Sequence, residues 1–139
     1  VRLFMVPGMD HCGILEGPAG VDQSDLDLIT AIEAWVEDYL RLVYEIAQAT
    51  HGLRRLGSAA LDLAYIASGR LDAYFETGLK PWDAAAGALL VQEAGGTVTD
   101  MAGGDDYLYG QRILATNGYV HQELLQIMRK SPLTAQINE

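Results

Sequence analysis

The sequence predicts a layered α/β domain, a sheet with helices packed against it, and three observations carry that expectation. Stretches with apolar residues three and four apart alternate with short stretches in which every second residue is apolar. Gly and Pro fall between these stretches, where they stop one element and start the next. The run from Lys80 to Gly96 reads as a helix with both ends marked. Pro81 occupies a first helical position, where its missing N–H does no harm, and Gly95-Gly96 supply a left-handed stop. Such alternation of strands and helices is the pattern of a layered α/β fold.

Taken in order, Arg2 to Val6 is a short candidate strand, ended by Pro7-Gly8 and followed by an irregular segment up to about Gln23. Ser24 is placed to cap a helix, with Asp25 and Asp27 in its first turn. Leu28, Ile32, Trp35, Val36, Tyr39, Val43 and Ile46 then recur at helical spacing, which predicts one long amphipathic helix ending near Thr50-His51-Gly52, or two shorter helices in series. Leu53 to Leu56 is expected as a short strand. A helix opens at Gly57-Ser58 and runs to Gly69, with Ser58 as its cap. Arg70 to Thr77 alternates, with Leu71, Ala73 and Phe75 on the expected buried face and Asp72, Tyr74 and Glu76 on the polar one. After the Lys80–Gly96 helix come a short strand at Thr97-Val98-Thr99, a turn at Ala102 to Asp106, and a strand at Arg112 to Ala115. Asn117 is expected to cap a last helix, with Val120, Leu124, Leu125 and Met128 facing inward.

The bulk properties exclude several roles. A formal net charge of −10 opposes nucleic-acid binding, which needs clustered Lys and Arg. No apolar run reaches the ~20 residues of a membrane span, so no membrane role is expected. No signal peptide is read at the start. Cys12 is the one cysteine; no disulfide can form within the chain, and a cytoplasmic setting is expected.

Chemistry is expected where the Arg70–Thr77 strand hands over to the Pro81 helix. Glu76 ends the strand on its polar face and Asp83 falls in the first turn of the helix, so the two carboxylates are expected to meet at one edge. An aspartate in a first turn most often only complements the exposed N–H groups there. Oxygen ligands of this kind suit Mg²⁺, held by one or two carboxylates together with water and phosphate. Gly57-Ser58-Ala59, at another helix start, can offer N–H groups to a phosphate or a hydroxyl.

From about Tyr39 to Met128 the chain resembles the C-terminal half of the inositol monophosphatase family. The residues that carry it are Arg54-Arg55-Leu56-Gly57-Ser58-Ala59-Ala60-Leu61-Asp62, Gly69-Arg70-Leu71-Asp72-Ala73-Tyr74-Phe75-Glu76, Pro81-Trp82-Asp83-Ala84-Ala85-Ala86-Gly87 and Glu93-Ala94-Gly95-Gly96. The resemblance implies Mg²⁺-dependent hydrolysis of phosphomonoesters. It implies a metal-ligand role for Asp83, contact with the hydroxyls of an inositol-phosphate-like substrate for Glu76, and a substrate-binding turn at Gly57, Ser58 and Ala59. The family's other metal ligands lie in an Asp-Pro-(Ile/Leu)-Asp-Gly-Thr motif and an upstream glutamate, and neither occurs in these residues. The chain by itself is therefore expected to be catalytically incomplete: a non-catalytic folded domain, or a phosphomonoesterase completed by a partner chain.

Residues 1–37 resemble the C-terminal end of the tannase and feruloyl esterase family, through Arg2-Leu3-Phe4-Met5-Val6-Pro7-Gly8-Met9-Asp10-His11-Cys12-Gly13 and Asp27 to Glu37. That resemblance makes His11 the remaining catalytic candidate, but with no nucleophile in the sequence it has nothing to activate. The expected division is a tannase-like segment at 1–37, an inositol-monophosphatase-like domain at 38–130 and a tail at 131–139. The apolar stripe crosses the junction at Glu37–Tyr39 without a phase slip, as in a chimera joined in register, natural or engineered. Half a family fold leaves apolar surface uncovered, so a homodimer is expected.

Overall fold

A computed structural model describes residues 23–131, with side chains in the first helix from Ile32 onward. The candidate strand at Arg2–Val6, His11, Cys12 and the tail beyond Ser131 lie outside the described residues. In chain order the elements are α1 (Gln23–Ala49), α2 (Ala59–Ala67), β1 (Ala73–Thr77), α3 (Pro81–Glu93), β2 (Thr97–Thr99), β3 (Arg112–Thr116) and α4 (His121–Met128).

The strands form a three-stranded sheet in the order β1-β3-β2. β3 is antiparallel to both neighbours, pairing Glu76 with Ile113, Thr77 with Arg112 and Val98 with Ala115. β1 and β2 therefore run parallel to each other, joined by the crossover helix α3, with β3 inserted between them. The central strand is buried throughout except at Arg112, as expected of a strand covered on both faces.

Each face has its own core. Ile113 and Ala115 of β3 join Tyr74, Val98, Leu63, Ile66, Ala84, Ala88 and Val91 in a cluster beneath α2 and α3. Leu114 joins Leu42, Ile46, Met101, Leu124, Leu125 and Met128 beneath α1 and α4. Period-two alternation along one strand thus feeds both layers, and the result is the expected α/β architecture.

The long helix is one continuous element through Glu37–Tyr39. Its packed stripe is Trp35, Tyr39, Leu42 and Ile46, with Trp35 and Tyr39 stacked at 5.5 Å. Leu42 takes the buried place the sequence pattern assigned to Val43, since 35, 39, 42 and 46 follow one narrow face. Leu53 to Leu56 is not a strand. Its residues are exposed, and it pairs with none of the described strands. In β1 the alternation holds, but the face called polar is the more deeply buried one: Tyr74 sits under α2 while Ala73 and Phe75 pack toward α1.

Asn117 does not cap α4, whose cap position is Val120. Its Oδ1 accepts from the Tyr119 N–H at 3.0 Å and its Nδ2 donates to Asp72 at 3.0 Å. Gly118, at φ +88°, turns the chain there, so Asn117 closes a turn ahead of the helix. On the outer side of α2 and α3, Leu61, Trp82, Leu89 and Leu90 are exposed. Among the described residues no helix is long and apolar enough to cross a membrane.

Candidate functional site

The site is assembled where β1 ends, α2 begins and α3 begins. Gly57, at φ +87°, turns the chain into α2. Ser58 is the N-cap, extended at φ −142° and ψ 107°, and its Oγ accepts from the Leu61 N–H at 3.4 Å. Its carbonyl accepts the Asp62 N–H at 2.9 Å, the first bond of the helix. Ala59 is buried behind it. The earliest N–H groups of such a helix precede any intrahelical acceptor and face outward for a ligand.

Glu76 points to the same side of the sheet as this turn. One carboxylate oxygen pairs with Nη2 of Arg55 at 2.6 Å, and the other accepts the hydroxyl of Tyr74. The Glu76 side chain is 12% exposed and that of Arg55 is 55% exposed. The hydrogen bond to Glu76 raises the Arg55 guanidinium above its already high range, so it stays charged. Burial, followed by the bond to Glu76, pushes the Tyr74 hydroxyl well above the usual phenol range, so it remains a donor. Burial also raises Tyr39 of α1, with Arg55 and Glu76 acting on it in opposite directions.

Asp62 is the unexpected member of this group. It is 5% exposed, on the first turn of α2, and burial raises its carboxyl above the ordinary range. The charge of Glu76 adds to that rise and Arg55 opposes it. Five ionisable side chains from three elements and one loop therefore act on one another around Glu76. The sequence signal for Tyr74 was present, since it lies two residues from Glu76 on one strand face. Nothing in local spacing marked Arg55 or Asp62, because their approach to Glu76 depends on how α2 crosses the sheet.

Asp83 behaves as a first-turn residue. Its Oδ2 accepts the Lys80 N–H at 3.1 Å, and its own N–H bonds the Lys80 carbonyl at 2.9 Å. The loop before it is held by a 2.7 Å bond from the Gly78 N–H to the Gln111 carbonyl. Glu76 and Asp83 thus flank the same strand-to-helix passage, each with its own partners. Among the described residues no three of His, Cys, Asp or Glu are grouped to hold a metal ion. One carboxylate that also caps its helix does not by itself make a Mg²⁺ site, which demands near-octahedral oxygen coordination. The sheet is antiparallel at this edge, so the crevice rule for parallel α/β sheets does not apply to it.

A second buried polar group lies on the opposite face. His121 is 2% exposed, with Nε2 3.1 Å from Thr99 Oγ1 and Nδ1 3.0 Å from Thr116 Oγ1. The Thr99 hydroxyl donates to the Asp100 carbonyl, so it accepts from Nε2–H. Thr116 Oγ1 accepts from the Gly118 N–H and gives its own proton to Nδ1. Every donor is used in the neutral tautomer, and burial holds the imidazole below its usual range.

The fold is a layered α/β domain with its ionisable groups gathered around Glu76, and comparison with known proteins identifies its family. The sequence pattern of the inositol monophosphatase family matches residues 21–133, and the chain belongs to that family. It is 56% identical over 84 residues to an inositol-1-monophosphatase of Mesorhizobium japonicum, covering 60% of this chain and 31% of that protein. It is 45% identical over 120 residues to a putative Nus factor SuhB of Neisseria meningitidis, covering 86% of this chain and 42% of that one. Among solved structures it is similar to the extragenic suppressor protein suhB of Bartonella henselae, with a TM-score of 0.66 and 44% identity over 68% of this chain and 36% of that one. The chain thus spans 31–42% of the length of these curated relatives. The family match begins at residue 21, inside the segment with the tannase resemblance, and that resemblance and a two-part origin find no support in these relatives.

Proposed function

We propose that this chain carries the polyol-recognising part of a Mg²⁺-dependent phosphomonoesterase for inositol-phosphate-like substrates, with Asp83 contributing one metal ligand. The 139 residues by themselves do not complete the catalytic centre. The observation behind both statements is the uneven distribution of chemistry. The turn Gly57-Ser58-Ala59 and the Glu76 carboxylate share one face, whereas Asp83 has no companion metal donors grouped with it among the described residues. Polyol hydroxyls are donors and acceptors together, and they fit a site that offers helix-start N–H groups and a carboxylate. When bound, Mg²⁺ in this family supplies a Lewis acid and an activated water.

The test is phosphate release from inositol monophosphate by the purified chain, with and without Mg²⁺, beside Asp83→Asn. No release above the Asp83→Asn control is expected. Mg²⁺-dependent release that disappears in Asp83→Asn would show that the chain completes its own site and overturn the proposal of incompleteness. The exposed Leu61, Trp82, Leu89 and Leu90 support a further part of this reading, a homodimer that covers them. A monomeric mass by light scattering at micromolar concentration would remove that part.

A further inference from the structure

We propose that Arg55 and Tyr74 are positioning residues, which orient the Glu76 carboxylate and lock the Gly57-Ser58-Ala59 turn beside it to form a preorganised polyol-binding face. This rests on the reading of Glu76 and the turn as substrate-binding. It adds two residues to which that reading assigns no role.

The geometry carries the argument. Arg55 lies two residues ahead of Gly57 in a stretch, 50–58, that has no regular structure and is exposed along its length. Its guanidinium reaches the sheet and bonds Oε1 of Glu76 at 2.6 Å. The same ion pair therefore fixes the strand-end carboxylate and the approach to the turn. From the other side, Tyr74 is 8% exposed, its ring is held in the core under α2, and its hydroxyl is bonded to Oε2. A donor on each oxygen leaves the carboxylate one orientation. Each oxygen keeps a further lone pair for a ligand hydroxyl. Free glutamate samples several rotamers, and a ligand that must order it pays the entropy of doing so. Here the ordering is done by folding.

Asp62 sharpens the arrangement. It is more deeply buried than Tyr74, at 5% against 8% exposed, and its carboxyl feels the charges of Glu76 and Arg55. Removing Arg55 would take away the cation paired with Glu76 and leave Oε1 without its donor.

The experiment is titration of the ¹⁵N-labelled full chain with myo-inositol, following the amide signals of Gly57, Ser58, Ala59 and Glu76. The wild type, Tyr74→Phe, Arg55→Met and Arg55→Lys are compared. Saturable shifts at those four amides are expected in the wild type. Losing one charge-assisted bond is expected to weaken binding by about fivefold or more in Tyr74→Phe and Arg55→Met. Arg55→Lys, which keeps the charge, should recover part of the loss. Tyr74→Phe keeps the buried ring, so an unchanged melting curve and unchanged amide signals outside the site separate positioning from general destabilisation. Wild-type affinity in both Tyr74→Phe and Arg55→Met would overturn the positioning roles while leaving the substrate-site reading standing. No shift at the four amides in the wild type would overturn the site reading and this inference with it.

Discussion

Replacing Gly87 with alanine sets two physical effects of opposite sign against each other inside α3. Alanine is favoured over glycine in a helix interior by about 0.8–1.0 kcal/mol, so local propensity alone predicts a more stable protein. The tertiary structure predicts the reverse. A Cβ at this position would lie 2.6 Å from both Cβ and Cδ1 of Leu63 and 3.1 Å from its Cγ. Normal carbon–carbon contact is about 3.5–4.0 Å, so the intrusion is roughly 1 Å. Rotation of Leu63 can move Cδ1, but its Cβ is fixed to the backbone of α2, and the side chain is fully buried at 0% exposure. The helices must move apart, opening the cluster that Leu63 shares with Ala84, Ala88 and Val91. Overpacking of a close-packed interior costs about 1–3 kcal/mol, and an immovable atom puts this case in the upper half of that range. After the propensity gain, Gly87→Ala should be less stable by about 1–2 kcal/mol, a fall of roughly 3–8 °C in melting temperature. Urea and thermal unfolding followed by far-UV circular dichroism measure it. Ala85→Gly, at an exposed position of the same helix, calibrates the propensity term and should cost about 1 kcal/mol. A Gly87→Ala protein as stable as the wild type, or more so, would refute the close α2–α3 contact.

Three further outcomes follow from the same structure. His121 is held neutral by burial, and an unfolded histidine titrates near pH 6.5; the unfolded chain therefore binds the proton first as pH falls. Stability should be flat above that pH and decline below it toward the lower folded-state value. His121→Gln should show a shallower decline between pH 7 and 5 in urea midpoints, and an equal slope in the two proteins would contradict the buried neutral ring. Ser58→Ala removes the α2 cap, and because the Oγ contact is long at 3.4 Å the expected cost is about 0.5–1 kcal/mol by urea unfolding. A loss beyond about 2 kcal/mol would mean the hydroxyl does more than cap. Asp83→Asn retains an oxygen for the Lys80 N–H and gives up only the favourable charge at the helix start, about 0.3–1 kcal/mol. A cooperative melt close to that of the wild type is expected; an unfolded variant would show that Asp83 carries more of the fold than its hydrogen bonds indicate.

What the sequence determined by itself was local. Pro81 and Gly95 bounded α3, Ser58 announced the start of α2, and helical spacing carried the α1 stripe through Glu37–Tyr39 while leaving one helix or two in series open. These features depend on neighbours within about one helical turn, so a linear reading captures them. The family motifs around Gly57, Glu76 and Asp83 were legible for the same reason, as fixed spacings along the chain. The tertiary structure decided which partners those residues have. Insertion of β3 between β1 and β2 made the sheet antiparallel, and the packing of α2 and α3 on one face put Tyr74, expected on an outward face, in the core. The crossing of α2 over that sheet brought Asp62 and Arg55 to Glu76 and set Gly87 against Leu63. Asp83 accepts the N–H at the start of its own helix. Local propensity is encoded within a few residues, whereas a carboxylate's partners are set by contacts between segments far apart in the chain, and those exist only after the layers have packed.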